Sequence, residues 1–194
     1  MMNIEKGYYT QQELKSFNFN YLGEDVLVSR NSTIIGTEYI SINSNSRIDD
    51  YCTLVASEEG EIIIGKHVHI AGYSLLSAGS GIELHDFSGI SHGVKIYGKT
   101  DDYSGKHLTN PTVSSEFTGA VSGKVTLGRH TIIGSGSVIL PRVNIGDGVA
   151  VGANSLVTKS LDEWCIYFGS PVKKIKKRSQ ELLKLEKKFL KTKA

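Results

Sequence analysis

The chain has 194 residues, 39% of them hydrophobic and 22% charged, with a formal net charge of +2 at pH 7, which suits one globular domain with enough apolar side chains for a core. No apolar run is long enough to span a bilayer, and Met1-Met2-Asn3-Ile4-Glu5-Lys6 lacks the pattern of a signal peptide. Cys52 and Cys165 are too few and too scattered for a disulfide framework or a zinc site, so the expectation is a reduced, cytoplasmic protein without a metal.

In chain order, Thr10-Gln11-Gln12-Glu13 matches a capping box and predicts a short helix through about Phe17, inside an N-terminal cap of residues 1–24. From Asp25 onward apolar residues recur every six positions. Val28, Ile34 and Ile40 keep the step, then Ile42, Ile48 and Leu54. After the polar turn Ser57-Glu58-Glu59-Gly60 come Ile64, Ile70, Leu76 and Ile82, then Leu84, Ile90 and Ile96, with the offsets of two or ten residues expected to be loops at corners. The run is cleanest at Leu127, Ile133, Ile139, Ile145, Val151 and Val157, several of them followed by glycine.

A helix would smear a six-residue period around its circumference, and a plain strand repeats every two. Six residues per flat side and three sides per turn describe a parallel β-helix. Leu127 should then stack under Ile145, Ile133 under Val151 and Ile139 under Val157. The small or β-branched Val125, Thr131, Ser137, Val143, Val149 and Ser155 should face its narrow interior.

The register is lost between Ile96 and Val125. There, Asp101-Asp102-Tyr103-Ser104-Gly105-Lys106-His107-Leu108-Thr109-Asn110-Pro111 is polar and turn-rich, and loop 98–123 becomes the candidate seat of the chemistry. Beyond residue 175, Ser179 to Leu190 carries Leu182, Leu185 and Phe189 on one helical face, which predicts a basic C-terminal helix within 176–194 that packs on its own coil or a neighbour's. Residues 171–194 hold ten Lys or Arg against two Glu, leaving twelve against eighteen in the body, so +8 on the tail and −6 elsewhere. Such a tail attracts phosphates or anionic surfaces. Its lysines interleave with leucines and no aromatic platform accompanies them, so nucleic acid is not the expected partner.

The stretch Ile132-Ile133-Gly134-Ser135-Gly136-Ser137-Val138-Ile139-Leu140-Pro141 to Val157-Thr158-Lys159, followed by Phe168-Gly169-Ser170-Pro171-Val172-Lys173-Lys174-Ile175, resembles the left-handed β-helix acyltransferases of the hexapeptide-repeat superfamily. The resemblance spans Asp25 to Ile175 and implies an all-β, left-handed parallel β-helix, a homotrimer, and an acyl-CoA donor bound in the groove between subunits. Left-handed winding rests on the resemblance alone, since parallel crossovers are generally right-handed. Ile90-Ser91-His92-Gly93-Val94-Lys95-Ile96-Tyr97, with the loop after it, is most similar to the nucleotide-sugar branch, of the dTDP-4-amino-4,6-dideoxyglucose N-acyltransferase type. That implies an acyl, first of all acetyl, transfer to the amine of a nucleotide-linked sugar for surface glycan synthesis.

The galactoside and maltose enzymes carry a catalytic histidine at the point where Asp101 stands here, so that base is not carried over. A hydroxyl acceptor needs a base near neutral pKa, whereas a neutral sugar amine is already nucleophilic. Asp101 is therefore expected to orient the amine and accept a proton. Ser91 matches a polar position of the similar N-acyltransferases and could bind the acceptor or the developing oxyanion. His92 is the second choice of base and His107 the third. Asp102, Tyr103, His107 and Asn110 are candidate acceptor contacts, while Gly134, Ser135, Gly152 and Ala153 would let pantetheine approach the backbone. Tyr73, Tyr97 and Tyr103 are the tyrosines that could meet a nucleotide base, although tyrosine is as often a packing residue with an anchored hydroxyl. Lys159, Lys173 and Lys174 are expected at the CoA phosphates, because family members place basic residues near this end. His67, His69, His85 and His130 are expected at the surface or satisfied, without metal-ligand spacing. Two other readings remain: a sugar O-acetyltransferase using His92 or His107, and a non-catalytic β-helix scaffold.

Overall fold

The structure, a computed structural model, describes residues 7–192. Short strands form three walls that repeat once per turn. The first wall comprises Tyr21–Leu22, Ile40–Ile42, Ile62–Ile64, Ile82–Leu84, Val125–Leu127 and Asn144–Ile145. The second comprises Leu27–Val28, Arg47–Ile48, His69–Ile70, Gly89–Ile90, Ile132–Ile133, Ala150–Val151 and Cys165–Gly169. The third comprises Thr33–Ile35, Thr53–Val55, Leu75–Ser77, Lys95–Tyr97, Val138–Ile139 and Leu156–Val157. Within each wall these strands pair in parallel, coil on coil, at about 4.8 Å.

The expected stacks are present: Leu127 pairs with Ile145, Ile133 with Val151 and Ile139 with Val157. Val125, Thr131, Ser137, Val143, Val149 and Ser155 are all buried. One detail of the ladder is corrected. Ile40 and Ile82, placed by the six-residue count on the main ladder, lie two residues before Ile42 and Leu84 on the same strands, and both residues of each pair point inward. Strand alternation, not a corner loop, produces that offset of two.

Successive inward residues are six apart at two of the three corners in every coil, as in Leu84, Ile90, Ile96 and Leu127, Ile133, Ile139. Every length change falls at the third corner, between the third wall and the next first wall. The steps there are Ile34 to Ile40, Leu54 to Ile62, Leu76 to Ile82, Ile96 to Val125 and Ile139 to Val143. Residues 98–123 are the longest of these insertions. Lys99–Thr100 pairs antiparallel with Val121–Ser122 at its root, and the Gly123 N–H donates to the Gly98 carbonyl at 2.9 Å.

The coil opens at Tyr21, a little before the expected Asp25, because Tyr21–Leu22 already pairs with Ser41–Ile42. The N-terminal helix α1, Gln11–Lys15, has both halves of its capping box and ends at the Ser16 cap, short of Phe17. After Gly169 the chain returns antiparallel as Val172–Lys177, covering the last second-wall strand. Helix α2 runs Leu182–Lys191, starting later than Ser179. It lies over the corner between the first and second walls, where His67, Phe87 and His130 stack at 4.8 and 5.2 Å. Phe189 meets His67 edge-on, and Glu186 bridges Arg129 and His130. Leu185, expected on the packing face, stays 64% exposed.

Candidate functional site

Two separate corners carry the candidate residues. Ser91 and His92 follow Gly89–Ile90 at the corner between the second and third walls, where Ser91 N–H donates to Ile133 O at 2.9 Å and Gly136 N–H to His92 O at 2.9 Å. Gly134-Ser135 and Gly152-Ala153 occupy this same corner in the two following coils, so the sequence-predicted donor residues fall in line below Ser91. Ser135 and Ala153 are exposed. The glycines answer to packing: a Cβ on Gly134 would collide with the Ala153 backbone, and one on Gly152 with the Phe168 ring. On that side of each glycine the space is filled by protein.

Above His92 the corner opens into a groove of about 330 Å³ lined by Tyr8, Arg47, Asp49, Asp50, Tyr51, Gly72, Tyr73 and His92. Burial works against ionisation of Asp49, but Arg47 at 2.7 Å and His69 at 2.8 Å outweigh it and hold its carboxyl below the usual range. Tyr51 and Tyr73 stack at 5.0 Å and are 54% and 64% exposed. The sequence points to Tyr73 only as one of several tyrosines and does not single out Tyr51. A repeat-by-repeat alignment of corner positions is the signal that finds the pair. A larger cavity, about 560 Å³, lies between the second wall and α2, with Phe87, Ile132, Leu185 and Phe189 among its lining; neither Ser91 nor residues 98–123 reach it.

The loop is held by its own acids. Asp102 accepts from Ser104 N–H at 2.9 Å, the Ser104 hydroxyl at 2.8 Å, and both the backbone N–H and Nδ1 of His107 at 3.2 Å. These bonds, Ser104's first, pull its carboxyl down to about 2. Its side chain is 13% exposed, so it serves as a turn-closing acceptor. Asn110 is likewise local, accepting from Thr112 N–H at 3.0 Å and the Thr112 hydroxyl at 2.6 Å. Asp101 accepts the Asn110 N–H at 3.3 Å and stands exposed at the loop root. Tyr103 projects at 88% exposure, with Leu108 and Phe117 also open.

Within one chain the third wall separates Asp101 from Ser91, so the structure does not bring them together. Lys159 and Lys173 are exposed near the final coil, and Lys174 sits beside Cys165 and 3.5 Å from Asp162. Arg178, to which no motif in the sequence points, donates to the carbonyls of His130 at 2.8 Å and Gly148 at 3.0 Å, pinning the chain before α2. His69, His85 and His130 each pair with a carboxylate. Among the described residues no group of three or more His, Cys, Asp or Glu could hold a metal ion, and no helix is long and apolar enough to cross a membrane.

Residues 124–159 match the family model described as bacterial transferase hexapeptide (six repeats). The chain is 40% identical over 182 residues, 94% of each chain, to a dTDP-4-amino-4,6-dideoxy-D-glucose acyltransferase of Escherichia coli. It is similar to the crystal structure of AntD, an N-acyltransferase from Bacillus cereus in complex with dTDP and 3-hydroxybutyryl-CoA, with a TM-score of 0.92 and 44% identity over 96% of this chain and 98% of that one. Further AntD structures, matched as closely, carry substitutions at one serine and at one aspartate ten positions later. A probable macrolide acetyltransferase of Lysinibacillus sphaericus is 35% identical over 133 residues, 65% of this chain and 68% of that one.

Proposed function

We propose that this chain, which belongs to the dTDP-4-amino-4,6-dideoxyglucose acyltransferase family of hexapeptide-repeat transferases, moves an acyl group from acyl-CoA to the amino group of a nucleotide-linked amino-deoxy sugar. The observation that carries the reading is the pair Ser91 and Asp101, ten residues apart like the serine and aspartate altered in AntD, on a chain that matches that enzyme almost from end to end.

In the reaction the amine lone pair attacks the thioester carbonyl carbon. The C–N bond forms, the C–S bond breaks, and the CoA thiolate leaves. Asp101 binds the amine and takes its proton, which the thiolate ultimately receives, while the Ser91 hydroxyl donates toward the developing oxyanion. Holding amine and thioester side by side supplies much of the acceleration. Ser135 and Ala153 line the path of the pantetheine arm, and Lys159, Lys173 and Lys174 meet the CoA phosphates.

Assembly as a homotrimer supplies what one chain lacks: a neighbour's loop 98–123, with Asp101 at its root and open Tyr103, Leu108 and Phe117, laid against the corner that carries Ser91. Both substrates are small cytoplasmic metabolites, and the reading puts the enzyme there. A second reading, O-acylation of a sugar hydroxyl, draws on one observation, the Asp102–His107 pair, in which the carboxylate orients an imidazole able to act as base. The test is thiol release from acetyl-CoA against a panel of dTDP- and UDP-amino sugars and their hydroxyl counterparts, with Asp101→Asn as control. Turnover of hydroxyl sugars alone rejects the N-acyl assignment, and full activity in the variant removes Asp101 from its assigned role.

A further inference from the structure

The cavity between the second wall and α2 is left unfilled by one missing side chain. His69, Gly89 and Ile132 occupy the same outward position on three consecutive second-wall strands. Gly89 sits in a strand without a positive φ, so its backbone does not require glycine, and a Cβ there would meet nothing closer than the His69 carbonyl oxygen at 3.8 Å. The result is a trough. Leu182, Leu185 and Phe189, at i, i+3 and i+7 of α2, form its other side. Leu185 and Ile132 stay 64% and 47% exposed because this space of about 560 Å³ lies between them. One unmatched charge borders it. Arg178 Nη1 donates to the carbonyls of His130, Gly148 and Val149 at 2.8, 3.0 and 3.4 Å, which hold the guanidinium but bring no net charge. Its Nε and Nη2 have no partner among the described residues, and partial burial pushes its pKa down with no acid beside it to oppose the shift. Glu186, the one acid lining the trough, is already matched by Arg129 and His130. A partly buried cation without a counter-ion, beside an apolar hollow, is electrostatically incomplete.

We propose that this trough is a binding site for a fatty carboxylate, whose alkyl chain lies over Gly89 between Ile132 and α2 and whose carboxylate pairs with Arg178. Nε and Nη2 form the side of a guanidinium that takes a carboxylate through two parallel N–H bonds, and these are the two nitrogens left without partners. One guanidinium balances one carboxylate. The chain's length follows from the coil. Arg178 is anchored at Gly148 and Phe189 meets His67, three coil steps away, or about 14 Å. At about 1.3 Å per methylene in a zigzag of ordinary C–C bonds, that distance suits roughly ten carbons. The apolar walls supply the driving force, since Leu185 and Ile132 lose water when the chain is seated. Neither Ser91 nor residues 98–123 reach this cavity, so the proposal does not depend on the acylation chemistry.

The experiment is calorimetric titration of the full chain with decanoate, decanol and butyrate, repeated on Gly89→Ile and Arg178→Gln. Isoleucine already stands at 132 in the same column and suits a strand, so Gly89→Ile should keep the parent Tm or raise it while filling the trough. The parent should bind one decanoate per chain, with decanol and butyrate each weaker by about ten-fold or more. Gly89→Ile should weaken decanoate by about ten-fold or more, and Arg178→Gln should bring it to the level of decanol, while Kd for CoA stays within about two-fold in both. Gly89→Ile decides the matter even where Arg178→Gln loosens the chain before α2. No decanoate binding by the parent, or unchanged binding by a folded Gly89→Ile, overturns the proposal. So does decanol binding as tightly as decanoate, which would leave Arg178 without a role, or displacement of decanoate by CoA, which would give the trough to the donor.

Discussion

His107 Nδ1 lies 3.2 Å from Asp102 Oδ2, and the same carboxylate oxygen accepts the His107 backbone N–H, so one acid fixes both the turn and the ring. The imidazole is thereby oriented in the manner of a base, on the loop that carries Asp101. If the acceptor is an amine held by Asp101, His107→Gln lowers kcat by less than about three-fold and Asp101→Asn by roughly a hundred-fold. Steady-state kinetics of the two variants decide between them, and the opposite ranking would move the proton acceptor to His107.

The Asp102 carboxyl, pulled down to about 2 by Ser104 and His107, gives the loop an acid limit. Its folded value lies below the ordinary value of about 4 for aspartate. The ordering it contributes is therefore complete above that value and is lost as pH falls from about 4 toward 2. Protection factors for the amides of residues 102–107, each referenced to intrinsic exchange at the same pH, should be equal at pH 7 and pH 5 and fall below pH 4, and Asp102→Asn should show the low protection at every pH.

Ile90 is buried between Ile70 and Ile133 of the adjacent coils. Truncation removes three carbons from a stack that cannot close up without moving two strands. Ile90→Ala should cost about 2–5 kcal/mol in denaturant unfolding. A cost under about 1 kcal/mol would mean that the coil relaxes far more than its paired strands suggest.

The hydroxyl of Thr131 is buried and has no partner among the described residues. Thr131→Val keeps the shape and removes the orphan group, so stability should rise by about 1 kcal/mol, visible as roughly 2–4 °C in Tm. A loss of stability would indicate a buried water bonded to that oxygen.

The late walls are legible in the sequence because glycine and aliphatic residues keep an eighteen-residue beat there, from Leu127 to Ile145 and from Ile133 to Val151. Earlier coils hide it. The paired residues Leu22 and Ile42, Ile42 and Ile64, and Ile64 and Leu84 are not eighteen apart, so a six-residue count carries Ile40 and Ile82 onto the main ladder after the third-corner insertions have shifted it. Loop 98–123 is visible as lost register. Its use of Asp102 for closure is not, because a hydrogen-bonded aspartate and a substrate-binding one read alike in sequence. Corner side chains have no period of their own. The Tyr51–Tyr73 stack emerges only once coils are superposed.

Because two corners of the prism hold a fixed count and the third absorbs every change of length, the molecule separates scaffold from variation along a single seam. Segments can be exchanged there, at 36–39, 56–61, 78–81 or 98–124, without re-registering any wall. A designer seeking a new acceptor would graft at that edge and leave the rest of the spiral alone.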